Sequence, residues 1–383
     1  MAAGLLLVAG GATMRLDNLL YDTHMRHWSY APGDNVLIVA IDPQSLTALG
    51  NWPWPRATHA ELVKKLAAAG VRGIGIDVTM AEPDARHPEN DRAFAAAIGS
   101  AGNVVLPVFA EATELGGVLE EMLPPPVIAS EAAAFGHVDA SKDPDGVARG
   151  AYLKAGLGRP QWPSLALALY NLRNPSPLQT LPGLHRPNET VDSPYQWLRD
   201  DYVLLRFAGA SGSFNQVSYI DVLDGHISAD QLKGRWVLIG ATAEGLGDQL
   251  QTAASVANQP MPGVEYQANI LESLRDGRLI TPLNLRGQLL FGALSLAVPL
   301  LLWGLPGIRR TWVLAVPTLA APLLLSLALL RGAGWWWPPG AFFTVALLGL
   351  LAHGGVGALV RRHGVPNRPD VDEPWRALEV SDQ

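Results

Sequence analysis

Three runs toward the C-terminus, Gly287 to Leu305, Trp312 to Leu330 and Ala341 to Val360, each carry no charge over about twenty residues, the length a helix needs to cross a bilayer. A chain of 383 residues that holds them cannot be one water-soluble globule. It divides between water and lipid. Arg309 and Arg310 lie between the first two runs and Arg361 and Arg362 follow the third, whereas Arg331 to Gly340 has one arginine beside the belt-like Trp335-Trp-Trp337. Cytoplasmic loops collect Lys and Arg, so both arginine pairs are expected inside, which places Trp28 to Pro282 outside. Pro299, Pro317 and Pro322 fall within the runs, as kinks or as packing irregularities that neighbouring helices tolerate.

At the other end, Ala2 to Met14 is an uncharged stretch rich in Leu, Gly and Ala that stops at Arg15 and Asp17. At ~1.5 Å per residue it is shorter than the ~30 Å hydrocarbon core. A truncated membrane helix, the apolar part of a signal peptide and a buried helix all fit it. No basic residue precedes it and no small-x-small cleavage site stands out, which favours the first and agrees with the topology above. Leu16 to Asp22 then reads as a short amphipathic helix leaving the membrane, and His24, Arg26, His27, Trp28 and Tyr30 have an interfacial composition. Residues 1–29 are thus an N-terminal membrane segment with its juxtamembrane helix.

Residues 30–282 read as an extracytoplasmic α/β domain built on Asn35 to Met80. An apolar strand, Val36 to Ile41, and a second, Val71 to Ile76, flank a helix over about Ala57 to Ala69, in which Leu62, Val63, Leu66 and Ala67 recur at helical spacing before Gly70. Two continuous apolar strands joined by a helix call for a parallel pair buried on both faces. The pattern repeats through a helix over Arg92 to Ile98 and a strand over Asn103 to Phe109. A helix after Pro124-Pro-Pro126, through Ala134, precedes a strand at Phe135 to Asp139, which the Asp143-Pro-Asp-Gly146 turn is expected to join to Val147 to Lys154 as a hairpin. Pro163 is expected in the first turn of a helix running to Leu169. Strands follow at Tyr202 to Phe207, Gln216 to Val222 and Arg235 to Gly240, the last near the sheet centre, and then a helix over Gly263 to Arg275. The fold class is a mixed, largely parallel sheet with flanking helices, followed by a three-helix transmembrane bundle (287–305, 312–330, 341–360) and a cytoplasmic tail, 361–383.

The chain has no cysteine, which removes disulfides, thiolate metal sites and cysteine nucleophiles together. A net charge of −7 makes no electrostatic case for nucleic acid. Gly240 and Gly245 have the first spacing of a phosphate-binding loop, but Leu246 and Gly247 stand where Lys and Ser or Thr are needed; the backbone of Ala241 to Gly247 could still form an anion nest. Gly209-Ala-Ser-Gly-Ser213 lacks the second glycine of a nucleophile elbow. In parallel sheets ligands bind beyond the carboxyl ends of strands, where Asp42, Asp77, Glu82, Asp84 and Asp248 are expected. Carboxylates on one rim can hold a hard cation or divide into acid and base; equally, Asp42 and Asp84 can cap turns while Asp77 merely ends a strand. Asp42, Asp77, Glu82, Thr242 and Asp248 are the candidate ligand-binding residues, with no catalytic residue, metal or cofactor assigned. His59, His87 and His137 lack zinc-ligand spacing. His353 is ionisable at membrane depth, so it is either functional or part of helix packing. Trp52, Trp54 and Trp162 read as core or rim packing, with stacking on an apolar ligand the alternative.

Leu16-Asp-Asn-Leu-Leu-Tyr-Asp22, Val36 to Asp42, Trp52-Pro-Trp-Pro-Arg56, Gly75-Ile-Asp77 with Glu82-Pro-Asp84, Gly136-His-Val-Asp139 with Asp145-Gly146, Val237 to Thr242 with Gly247-Asp248, and Met261 to Glu265 with Ala268-Asn269 together resemble the CHASE type 2 extracellular sensory domain of bacterial receptors. The resemblance covers about Leu16 to Arg278. It implies an N-terminal span, an extracytoplasmic sensor of a small ligand in the periplasm, three spans in the inner membrane, a homodimer, and a cytoplasmic output such as a kinase or cyclase. It carries no catalytic residue and no ligand. Met80 stands where the family more often has an aromatic residue, and Gln251 to Gln259 lacks its usual Thr-Pro. Arg361 to Gln383 is too short for a kinase or cyclase core, so the output is expected on a separate protein or a longer chain. A membrane-anchored periplasmic hydrolase and a ligand-free scaffold are the readings from other classes.

Overall fold

The computed structural model describes residues 6–7, 10–113, 117–172, 174, 180–185, 193–247, 249–256, 259–303 and 311–362. The chain forms two compact units: Met14–Gln288 with Leu327–Trp337, and Met1–Thr13, Leu289–Ser326 and Pro338–Gln383.

In the first unit, α1 (Met14–Arg26) leads to the repeated strand–helix pattern of β1 (Val36–Ile41), α2 (Pro43–Leu49), α3 (Arg56–Ala68), β2 (Gly73–Asp77), α4 (Pro88–Ala101) and β3 (Val104–Ala112). Then come β4 (Leu119–Met122), α5 (Pro126–Ala129), β5 (Ala134–His137), β6 (Val147–Ala148), β7 (Gly150–Leu157), β8 (Trp162–Pro163), α6 (Leu165–Leu172) and β9 (Trp197–Leu204). The unit continues through β10 (Gln216–Ser218), α7 (Tyr219–Leu223), α8 (Ala229–Leu232), β11 (Trp236–Ala241), β12 (Gln249–Thr252), β13 (Met261–Pro262), α9 (Gly263–Asp276) and β14 (Thr281–Pro282).

The main sheet has seven strands in the order β10-β1-β11-β2-β3-β4, with β5 also on β3. Every pair is parallel except β3–β4. Its centre is β11, which pairs β1 from Val36↔Trp236 to Ile41↔Ala241 and β2 from Gly73↔Trp236 to Asp77↔Gly240. Alternate side chains divide between two cores. Val36, Ile38, Ala40 and Leu238 pack with α6 and α9, while Leu37, Val39, Ile41, Val237 and Ile239 pack with Leu62, Leu66, Phe94 and Ile98 of α3 and α4. Each such side chain fully buried contributes about 1.5–3 kcal/mol, which explains why these strands are apolar without alternation. The α6 side closes through glycine: a Cβ on Gly136 would stand 2.5 Å from Leu165 Cα, and one on Gly75 2.8 Å from Leu238 Cδ2. The first neighbour is backbone and cannot rotate away.

Five local expectations are overturned. β1 and β2 do not pair with each other, since β11 lies between them and pairs with both. The helix expected through Ala134 is only Pro126–Ala129, because Ala134 already lies on β5, opposite Val105 of β3. The 143–146 turn forms, with Gly146 N donating to Asp143 O at 2.8 Å, yet the flanking strands do not pair as a hairpin: β5 lies parallel on β3, β6 joins β12 and β7 pairs β8 and β9. Turn chemistry is local, whereas the open edge of β3 offered β5 a better partner. Pro163 lies on β8, an edge strand where its missing N–H costs nothing, and Ser164 starts the helix by accepting from Leu167 N. Strand β10 stops at Ser218, and Tyr219 to Leu223 is helical because Tyr219 is drawn into the core, where its hydroxyl meets His59 Nδ1 at 2.8 Å.

Helix α1 is tied to this unit by one buried cation. Arg149, 4% exposed, reaches Asp22 through Nε and Nη2 at 2.7 and 2.8 Å, Asp143 through Nη1 at 2.7 Å, and Asp145 through Nη1 and Nη2 at 2.9 Å. The Arg149 guanidinium holds Asp145 down to about 2, while burial pushes Asp143 up. Three acids around one guanidinium leave negative charge in excess, so the site depends on its single arginine.

The three apolar runs fall on α10 (Leu285–Trp303), α11 (Thr311–Ala333) and α12 (Gly340–Arg362), with residues 304 and 305 of the first run outside the described residues; α10 belongs to the second unit from Leu289, α11 continues into the first unit from Leu327, and β15 (Trp335–Trp336) follows it there. Gly292 of α10 faces the Phe342 ring of α12 so closely that a Cβ would enter it, the small-residue approach that packs apolar helices. Among the described residues, Leu314–Ala333 is the helix long and apolar enough to cross a membrane, and Leu285–Ala297 and Gly340–Ala352 are shorter apolar segments. Arg309 and Arg310, the side chains of His353, Arg361 and Arg362, the tail 363–383, and Ala2 to Leu5, Val8 and Ala9 lie outside the described residues.

Arg149→Ala is expected to cost about 3–5 kcal/mol, since it leaves three carboxylates without their cation; a denaturant midpoint matching the wild type would contradict this. Two buried histidines set an acid limit. His59 and His137, 4% and 1% exposed, are lowered to about 4, chiefly by burial. Between about 6.5 and 4 the unfolded chain therefore binds more protons than the native one. This stability is complete above about 6.5 and is lost as pH falls, at no more than about 1.4 kcal/mol per pH unit for each ring. The urea midpoint should fall between pH 7 and pH 5, and a flat profile would show the rings to be charged or exposed.

Candidate functional site

The carboxyl ends of β1, β11, β2 and β3 open onto neighbouring hollows, because burial of both sheet faces leaves only strand ends for a ligand. The largest, about 640 Å³, is walled by the Trp52-Pro-Trp-Pro-Arg56 segment, the loop Val78 to Asp84, and Phe109 and Glu111 of β3. A second, about 300 Å³, lies between Asp77, Val138 and Ala140 on one side and Ala241, Leu246, Val264 and Tyr266 on the other. Both include Trp52, Val78 and Thr79. A third, about 400 Å³, meets them at Thr79 and adds Asp139, Trp197 and Arg199.

The walls of the largest cleft are well anchored. Trp52 and Trp54 meet edge to face at 5.0 Å, and Trp54 Nε1 donates to Gly50 O at 3.0 Å. Trp54 and His59 line the cleft and pack on the buried Tyr219 behind them, the three ring centroids lying 4.9 to 6.3 Å apart. The opposite lip is clamped by Arg56, which pairs with Asp91 at 2.5 Å and donates to the Glu82 carbonyl. Asp91 in turn accepts from Asp84 N at 3.0 Å, and the Asp84 carboxylate takes His87 N and the Asn90 amide, which lower its pKa. Trp52 is half-buried and Glu82 and Thr79 are exposed, so the cleft offers aromatic surface with a polar rim.

The candidate residues do not converge. Asp42 and Thr242 line a separate hollow of about 330 Å³, Asp77 the second hollow and Glu82 the largest cleft; Asp248 lies outside the described residues. Asp42 is an N-cap: its Oδ1 accepts from Ser45 N at 2.8 Å, Ser45 Oγ at 2.6 Å and Ser218 Oγ at 2.9 Å. The Asp-Pro-x-Ser sequence at 42–45 is the signal that separates a cap from a ligand. Asp84 is likewise bound within its own turn. Phe109, Val138 and Tyr266, absent from the expected set, enter because strand pairing brings distant segments to one edge.

Other motifs resolve structurally. Glu265 accepts from Gly212 N and Ser213 N at 2.9 and 3.0 Å, while the Ser213 hydroxyl donates to Ala210 O at 2.6 Å; this loop is a capped turn. In the 241–247 loop, the Thr242 and Ala243 amides donate to Ile41 O and that of Leu246 to Ala243 O, so these three amides are not available to an anion. Among the described residues, the one group bringing three metal-ligand atoms within 4.8 Å is His185, Asp200 and Asp201, by β9 and outside the expected set.

Comparison with known proteins finds the CHASE2 domain over residues 1–308. No curated protein and no solved structure matches the chain. CHASE2 domains are extracellular sensory domains of membrane proteins. With the match covering most of its length, the chain belongs to the CHASE2 domain family.

Proposed function

We propose that this protein is a multi-pass sensor of the bacterial inner membrane whose α/β unit faces the periplasm, binds a small ligand at the carboxyl edge of the sheet, and signals through its apolar helices to a separate cytoplasmic kinase or cyclase. The observation that carries the reading is the joined cleft system around Trp52, Val78 and Thr79, which combines aromatic walls with a polar rim at the place where parallel sheets bind ligands. The three apolar helices act as spans, with the arginine pairs in the cytoplasm and the protein a homodimer in the bilayer. A ligand works by binding one arrangement of sensor and helices better than the other; ~1.4 kcal/mol of preference moves the equilibrium tenfold. Glu82 at the rim and Asp77 at the joined hollow are the candidate polar contacts, whereas Asp42 is a structural cap and Thr242 lines the hollow beside it. The hydrolase alternative has less support, since the carboxylates line separate hollows and Asp42 and Asp84 are committed to turns.

Thermal unfolding of the full chain in detergent, against a library of metabolites and divalent ions, tests this. A native-state ligand at a hundred times its Kd adds about 2.7 kcal/mol. An organic metabolite should raise the midpoint, and Trp52→Ala, which removes one cleft wall, should weaken its half-saturation by about tenfold or more, equivalent to ~1.4 kcal/mol. A shift by divalent metal alone accompanied by turnover would favour the hydrolase, and a metabolite shift untouched by Trp52→Ala would move the binding site elsewhere.

A further inference from the structure

Three guanidinium groups close on two aromatic rings at one place in the sheet-containing unit. Arg206 Cζ stands 4.2 Å from the ring centroid of Trp28 and 5.4 Å from that of Tyr30; Arg278 Cζ is 4.0 Å over Tyr30, and Arg331 Cζ 5.1 Å over Trp28. Arg206 Nε donates to Trp28 O at 2.9 Å, and Arg331 Nε to His24 Nε2 at 3.2 Å. Among the described residues, neither Arg206 nor Arg331 has a carboxylate at ion-pair distance. Arg278 Nη1 lies 3.0 Å from Asp276 Oδ2 but is off the hydrogen-bond direction and buried without an acceptor. With Arg275, four guanidinium groups face two carboxylates, Glu272 and Asp276.

Such crowding of like charge is unfavourable without an anion. Burial and the nearby Arg278 and Arg331 lower the Arg206 pKa, the mark of a positive field at this spot. The rings interleaved among the arginines offset part of the repulsion, but among the described residues they leave Arg278 Nη1 without an acceptor and Arg206 and Arg331 without a carboxylate. Planar guanidinium forks match phosphate oxygens in pairs. The position then narrows the source of the phosphate. Arg331 is in the last turn of the apolar helix Leu314–Ala333, and the exposed Trp335 follows it, a sequence of elements that belongs at headgroup depth.

We propose that Arg206, Arg278 and Arg331 form a binding site for the phosphate of an anionic phospholipid headgroup, with Trp28 and Tyr30 as its aromatic walls. The assignment rests on reading Leu314–Ala333 as a span. A bound headgroup links Arg206, just beyond β9, and Arg278, just beyond α9, to the end of the membrane helix that carries Arg331, so lipid composition sets how firmly the sensor is held to that helix.

The test is the unfolding midpoint of the full chain in detergent, titrated with phosphatidylglycerol, phosphatidylcholine or inorganic phosphate. Phosphatidylglycerol should raise the midpoint at lower concentration than phosphatidylcholine, and the effect should weaken as salt rises. Arg331→Gln, at an exposed position, should shift its half-saturation about tenfold, as loss of one charge-assisted bond predicts; Arg331→Lys should recover part. Equal stabilisation by the two lipids, or an unchanged response in Arg331→Gln, overturns the site. Stabilisation by inorganic phosphate alone that equals that of the lipid overturns the lipid source. Resistance of the membrane-bound protein to carbonate extraction reports the span by itself: release from the membrane defeats the span reading, whereas retention without lipid selectivity defeats only this site.

Discussion

Burial of the central strands on both faces constrains the rest of this protein. β1, β11 and β2 send alternate side chains into two cores, one under α6 and α9 and the other under α3 and α4, and their amides and carbonyls are spent on the ladders. No sheet face is left for binding. The strand ends are what remain, and at the carboxyl ends the loops diverge because their helices leave for opposite sides of the sheet. The clefts around Trp52 and Thr79 are therefore consequences of the topology rather than additions to it. The same constraint explains the small residues of β2: Gly73 and Gly75 let α6 and the side chains of β11 approach closely, where a methyl group would meet Leu169 or Leu238.

That dependence decides which parts could be read from the sequence. The strands and helices of the two βαβ units were legible, since a continuous apolar run and a helix-period stretch each follow from one element's own burial, but the pairing of β1 with β2 was not, because β11 lies between them. The central place of β11 was legible for the same reason. Pairings between segments distant in the chain were not. The turn at Asp143 to Gly146 is formed as its chemistry demands, and nothing in it tells that the next strands choose other partners. Nor could an arginine in a polar stretch declare that Arg149 would be buried: Asp143 and Asp145 are its near neighbours in the chain, but Asp22, which closes the site from α1, stands 127 residues away.

The candidate clefts follow from the parallel topology, but which residues line them does not. Acids at strand ends are ambiguous: a carboxylate just before a helix satisfies orphan amides as readily as it meets a ligand. Asp42 took the first role, through Ser45 and Ser218. Trp52 and Trp54, read as packing, prove to be both packing and wall, since Trp54 closes the core beside Tyr219 while the half-buried Trp52 borders two cavities. An aromatic segment rich in proline, fixed by Arg56 at its end, is the stronger signal because it combines rigidity with apolar surface.

The connection between α11 and α12 is not a free loop: Trp335 and Trp336 form β15, parallel to β14 of the sheet-containing unit, with Thr281 N on Gly334 O and Leu283 N on Trp336 O, both at 2.9 Å. Trp336 meets Tyr21 of α1 edge to face at 5.0 Å, and Trp337 Nε1 donates to Gln288 O at 3.1 Å. Helix α1, held by Arg149, thus shares an aromatic contact with the segment that joins the two C-terminal helices. Chain continuity alone would leave such a connection slack. Backbone hydrogen bonds and a buried tryptophan remove that slack. The cleft-bearing sheet and the turn between two apolar helices thus belong to one folded unit.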